Sequence, residues 1–269
     1  MASNVSVLSI ELLKIPGATQ ITANAINDRS QVVGQFTDAN GSPHGFIYEN
    51  ESFCQLDYPN ARATNILDIN NHGQIVGMIV TATATLGFIY DRGSFSSPLV
   101  YPGSTNLTIA NGINDRGEIV GVHDAPPQGG SFYCALGIYK FISYPGGQGT
   151  NAQRINNSRE IIGDFSDAAG STHSFVYLEN VGTFTPPLNC VNAPVIAFRD
   201  VNNAGQIAGG CVDAQTIEHP FIYADGTMYP VLIPGASSAS INGINDRGQI
   251  AGNFQSSTGA QAFIAAVPF

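Results

Sequence analysis

One short pattern recurs six times along the chain and constrains its fold more than any other feature. It reads Ile-Asn (Val-Asn once), Asp or Asn, a turn, then Gln or Glu, Ile or Val, any residue, and Gly. Its asparagines are Asn27, Asn70, Asn114, Asn156, Asn202 and Asn245, so successive copies lie 43, 44, 42, 46 and 43 residues apart. These copies account for nearly all of the 269 residues. A period of this size marks a repeat architecture.

Each unit reads as four short strands. The first ends at the Ile-Asn pair, and a turn such as Asn114-Asp115-Arg116-Gly117 follows, where Asn and Asp bond the backbone ahead and Gly supplies positive φ. The second is the Gln-Ile-Val-Gly stretch, as in Gln74-Ile75-Val76-Gly77. The third is Gly-Phe-Ile-Tyr, as in residues 45–48 and 87–90. The fourth leads to a Tyr-Pro-Gly turn, as at Tyr101-Pro102-Gly103 and Tyr144-Pro145-Gly146. No stretch sustains helical periodicity. Four strands per repeat of ~44 residues is the pattern of a β-propeller blade, and six repeats predict an all-β, six-bladed propeller spanning residues 1–269 as one domain. A β-solenoid is the rival, but its coils are usually shorter. The last repeat stops after its third strand. The first segment ends in Ile15-Pro16-Gly17, with Pro16 as far before Ile26 as Pro59 is before Ile69. The N-terminal strand is therefore expected to complete the last blade and close the ring, leaving no bare edge.

Composition narrows the function classes. Ten Lys and Arg against twenty Asp and Glu give a net charge of −10, and only 11% of residues are charged. Nucleic-acid binding needs clustered basic side chains, so it is not expected. No apolar run is long enough to span a membrane. The four cysteines, Cys54, Cys134, Cys190 and Cys211, include no CxxC pair and so no zinc or redox motif. Four half-buried thiols are the simpler reading, and Cys190 and Cys211 could pair in an oxidising compartment. Met1-Ala2-Ser3-Asn4 is not a basic stretch leading into an apolar one, so either there is no secretory signal or the sequence starts after one.

The repeat resembles the HAF-repeat family, a probable extracellular repeat named for a His-Ala-Phe motif. His44-Gly45-Phe46, His173-Ser174-Phe175, His219-Pro220-Phe221 and Gln261-Ala262-Phe263 match that motif approximately, after each Ile-Asn…Gly stretch. The resemblance covers nearly the full chain. It implies an extracellular or cell-surface setting and a binding or scaffolding role.

Positions kept in every repeat serve the blade; positions kept in a subset are candidates for something else. The six asparagines admit two readings: a turn cap, which the turn chemistry favours, or an inward ring of amide oxygens around an ion. Three blades carry an Asp four residues after the second-strand Gly, together with a His two before the third-strand Phe: Asp38 with His44, Asp167 with His173, and Asp213 with His219. The other three lack the His. Each pair brackets one loop, so it predicts an Asp–His hydrogen bond stapling that loop. It also suggests a repeated ligand site in which Asp accepts sugar hydroxyls and His adds a third contact. Tyr58, Tyr101 and Tyr144 fall on the same face and are read as apolar platforms for sugar rings, with packing on their own turns as the alternative.

These features predict a non-enzymatic, lectin-like carbohydrate-binding protein. Its sugar sites would be Asp38, His44, Asp167, His173, Asp213, His219, Tyr58, Tyr101 and Tyr144. It would need no cofactor or metal, and its partners would be extracellular or cell-surface glycans. The main alternative is a metal-dependent hydrolase or lactonase with a central-channel site; a protein-interaction scaffold is another. Against the hydrolase, the inner-strand candidates Asp68, Arg154, Arg199 and Asp200 look like channel-lining ion pairs. His72 and His123 read as surface polar residues.

Overall fold

The computed structural model describes residues 5–7, 9–185, 188, 190, 193 and 195–268; the Met1–Asn4 stretch lies outside them. Among the described residues there is no helix, and the main strands fall into six antiparallel sheets that form a closed ring. Blade one runs from the channel outward as Gln20–Ile26, Val32–Thr37, Pro43–Glu49 and Ser52–Gln55. Blades two to five repeat this order from inner strands Ala63–Ile69, Thr108–Ile113, Gln148–Ile155 and Val195–Val201. Blade six holds Ser238–Ile244, Gln249–Ser256 and Gly259–Ala266. Its outermost strand is Ser9–Leu12, paired antiparallel from Ser9 opposite Ala266 to Leu12 opposite Phe263. The ring closes as the proline spacing predicts. The sequence did not indicate the next contact: Val5–Ser6 runs parallel to Val231–Leu232 on the edge of blade five. One short segment thus clasps two neighbouring blades.

Two repeat positions follow from packing. Every inner strand carries a register shift, as between Ile66 and Asp68 or between Ala152 and Arg154. Such a bulge bends the strand and turns a residue out of the alternation. The second-strand glycines sit against it: a Cβ on Gly34, Gly77 or Gly121 would overlap the carbonyl oxygen of Thr22, Asn65 or Ile109, and the other three blades repeat the arrangement. The third-strand phenylalanines, Phe46, Phe88, Phe132, Phe175, Phe221 and Phe263, are buried between blades. Core clusters accordingly draw on two neighbours, as where Ala262 and Ile264 of blade six meet Phe36 and Phe46 of blade one.

The repeated asparagine both caps its turn and joins its neighbour. Asn27 Oδ1 accepts the N–H groups of Arg29 and Gln31, which fixes the turn. Its Nδ2 donates to the Asn70 carbonyl at 3.0 Å, and the same bond passes round all six blades until Asn245 donates to Asn27 at 2.9 Å. One residue on, a second closed ring runs from the N–H of Asp28 to Asn71 Oδ1 and onward, until the N–H of Asp246 reaches Asp28 Oδ1.

Cys190 and Cys211 form a disulfide, Cα–Cα 5.9 Å, tying the approach to blade five onto its second strand; Cys54 is exposed and Cys134 buried. The four-thiol reading therefore fails for this pair. Cross-linking across 21 residues restricts the unfolded chain and stabilises by about 2–3 kcal/mol. Reduction is expected to lower the melting temperature by several degrees. Calorimetry with and without a phosphine reductant checks this, with Cys190→Ser expected to abolish the difference.

Candidate functional site

The second–third strand loops lie on one rim of the ring, with the linkers between blades. Those of blades four and five share one geometry. Asp167 Oδ1 accepts the N–H groups of Ala169 (2.8 Å) and Ser171 (2.9 Å), and its Oδ2 lies 2.9 Å from His173 Nε2. Asp213 does the same with Gln215, Ile217 and His219, the last at 2.8 Å. The His contact holds both carboxyls below their usual range. An ionised carboxylate only accepts, so in each contact His Nε2 is the donor. The expected staple is present, and it changes the expected division of labour. One lone-pair direction remains on Asp Oδ2, so the imidazole is the group each loop offers. The His219 side chain is 61% exposed.

Blade one departs from this. Asp38 Oδ1 caps its loop through the N–H groups of Asn40 and Ser42, but His44 Nε2 stands 3.7 Å from Asp38 Oδ2. His44 Nδ1 instead pairs with Asp57 Oδ2 at 2.8 Å, and Gln55 Nε2 donates to the same oxygen at 2.6 Å. Asp57, in the linker to blade two, was missed because no loop-end spacing marks it. Blade three uses Asp124 differently: it accepts from Ser104 and Thr105 and from the N–H of Asn106, anchoring the preceding linker.

The tyrosines do not form the expected exposed platforms. Tyr101 stacks on His123 with centroids 3.6 Å apart and planes 2° apart, and Tyr144 stacks on Phe165 at 3.6 Å and 7°. Tyr58 packs against Phe95 and donates its hydroxyl to the Ser96 carbonyl. All three are half-buried, and their rings complete the rim of the core. His123, read as a surface residue, is buried under Tyr101; burial pushes its pKa down, and its Nδ1 accepts the N–H of Ala125.

The Arg154 side chain lies across the channel. The bulges turn the carbonyls of Asn24, Leu67, Asn111 and Gln153 towards the axis, and the Arg154 guanidinium donates to all four at 2.8–3.4 Å. Its Nε lies 3.8 Å from both Asp68 and Asp200. Each of those carboxylates also accepts two backbone N–H groups, one from its own strand and one from the next blade: Ile69 and Ile113 for Asp68, Val201 and Ile244 for Asp200. Three of the four inner-strand candidates thus meet on the axis. Arg199 does not; it is the bulged residue and turns to Glu218 at 3.3 Å. Above this plug the cavity ringed by the repeated asparagines holds about 60 Å³, room for a few waters. Among the described residues, no group of three or more His, Cys, Asp or Glu side chains is placed to hold a metal ion.

Arg154 faces two buried carboxylates, Asp68 and Asp200. Burial raises the pKa of both, and the Asp68 charge helps push Asp200 up to about 7. Between pH 3.8 and about 7 the folded protein keeps a proton that the unfolded chain has released. This contribution to stability is therefore complete at low pH and lost as pH rises through that window. The melting-temperature difference between pH 5 and pH 8 is expected to shrink in Asp200→Asn relative to the parent, as read by thermal melts of both proteins.

No family model matches the chain, and no curated protein matches it either. Solved structures do resemble it. TolB from Acinetobacter baumannii superposes with a TM-score of 0.60 at 14% identity, over 89% of this chain and 64% of TolB, so the chain spans less than two thirds of that protein. A gluconolactonase from Xanthomonas campestris gives 0.56 at 10% identity, over 100% of this chain and 99% of that one. The Aleuria aurantia lectin, solved with Fucα1-6GlcNAc, gives 0.51 at 12% identity, over 96% and 97%. These likenesses support the fold: the chain is a six-bladed β-propeller.

Proposed function

We infer that the protein is a non-enzymatic, lectin-like carbohydrate-binding module that acts outside the cell or on its surface. The observation that carries this is the stapled Asp–His loop, presented twice in the same geometry on one rim and a third time, in altered form, on blade one. Weak sites repeated on a rigid ring gain by avidity on a glycan-coated surface. A propeller lectin of similar length supports the reading. The disulfide and the likeness to an extracellular repeat support the setting.

The lactonase reading has the gluconolactonase likeness in its favour. Against it, a channel with about 60 Å³ free is small beside ordinary ligand pockets of roughly 300–1,000 Å³, and Arg154 occupies the axis.

The test is a glycan array probed with the intact protein, with and without EDTA. A defined sugar family bound in both conditions is expected; silence at high protein concentration would count decisively against the reading. Asp213→Ala and His219→Ala are expected to weaken binding several-fold while shifting the melting temperature by no more than a few degrees, since both residues sit on the exposed rim.

A further inference from the structure

An open cleft at one blade junction stands where blade one carries a cluster of polar side chains. In blade one, His44, Gln55 and Asp57 hydrogen-bond to one another and so join the outer strands to the linker to blade two. The repeat-equivalent residues of blade three are Gly130, Phe141 and Ser143. Without a side chain at Gly130, the Phe141 ring lies over that backbone, where an added Cβ would collide with it. The result is a cleft of about 350 Å³ between blades three and four, lined by these residues together with Gln128, Gln148 and Gly149.

The lining indicates what fits. It contains no charged residue, although acidic residues outnumber basic ones two to one in the chain. Phosphates, carboxylates and amines therefore find no counter-charge there. Phe141 is 43% exposed, a large apolar surface at the mouth of the cleft. The side chains of Gln128, Ser143 and Gln148 form no hydrogen bond within the protein among the described residues, so their amide and hydroxyl groups are free for a ligand. An aromatic surface beside uncharged donors and acceptors matches the C–H faces and hydroxyls of a pyranose ring.

We propose that the cleft between blades three and four binds a neutral sugar residue, with Phe141 as the stacking surface and Gln128, Ser143 and Gln148 as hydroxyl partners. This site is separate from the Asp–His loops and does not depend on them for its geometry.

Saturation-transfer NMR on the intact protein tests it. The probes are the methyl glycosides of glucose, galactose, mannose and fucose, and N-acetylglucosamine, with N-acetylneuraminic acid and glucosamine as charged comparators. The expected result is saturation of at least one neutral glycoside, reduced about fivefold or more in Phe141→Ala, which removes the platform. Ser143→Trp, which fills the cleft from an exposed position, should abolish it. Melting curves establish that each variant is folded; if one of them is not, the other decides the readout. Saturation that survives both variants overturns the proposal, as does preference for a charged sugar or the absence of any neutral signal. If the signal is lost in Asp213→Ala but survives both blade-three variants, the cleft is excluded and the loop reading stands. If it is lost in both blade-three variants, the cleft is supported whatever the loop variants do.

Discussion

Replacing Arg154 with alanine is expected to lower the melting temperature by about 10 °C. The side chain satisfies four carbonyls that the bulges turn into the channel, and among the described residues it is the one cation beside Asp68 and Asp200. Removing one partner of a buried charge cluster typically costs about 3–5 kcal/mol, because the remaining charge stays desolvated. In a chain of this size each kcal/mol moves the melting point by roughly 2–4 °C. Lysine is not expected to rescue, since an ammonium cannot span carbonyls from four blades while lying between two carboxylates. Adding Asp68→Asn and Asp200→Asn to Arg154→Ala should recover part of the loss. Thermal melts of the four proteins check this; a triple variant no more stable than Arg154→Ala would show that the damage lies in the carbonyls rather than in the uncompensated charge.

The second large effect is expected at the repeated asparagines. Asn70 is buried and makes four hydrogen bonds: its Oδ1 accepts from His72 and Gln74, and its Nδ2 donates to Gln74 Oε1 and to the Asn114 carbonyl. Asn70→Asp keeps the shape and the acceptor but sets a carboxylate against two acceptors. A loss of about 4 kcal/mol is expected, from two unmade bonds and a buried charge. Asn71→Ala, one residue along the chain and less buried, should cost clearly less although it touches the neighbouring Asp28 and Asp115 in the second ring. Urea denaturation midpoints of the two variants should differ accordingly. Equal midpoints would mean that the two rings share the load evenly.

The architecture was legible because it rests on residues that repeat. The Asn turn, the second-strand Gly and the third-strand Phe each perform one local task, and six copies make each task visible. The Asp–His loops were legible for the same reason: in blades four and five the hydrogen bond spans a fixed offset within one hairpin. What could not be read depends on a backbone irregularity or on a neighbour that does not repeat. Strand alternation alone puts Arg199 and Asp200 on opposite faces but does not say which one meets the channel. The bulge decides it, aiming Asp200 inward with Arg154 and sending Arg199 to Glu218. Tyr101 and Tyr144 look like rim platforms until His123 and Phe165 are seen beneath them, and those partners lie on second strands at positions that vary between blades. Asp57 and the blade-three cleft show the same limit from the other side, since each exists only through what one blade substitutes.

The pairing of Ser9–Leu12 with Gly259–Ala266 also has a consequence for biosynthesis. The ribosome makes Ser9–Leu12 before the inner strand of any blade, and its partner is the last strand of the ring to emerge. Until then the growing chain is an open crescent, with a free strand at one end and the unpaired wall of blade one beside it. Any pause before the last blade is made leaves that strand available to another nascent chain on the same message. The fold therefore favours completing translation promptly, or a chaperone that shields the waiting strand.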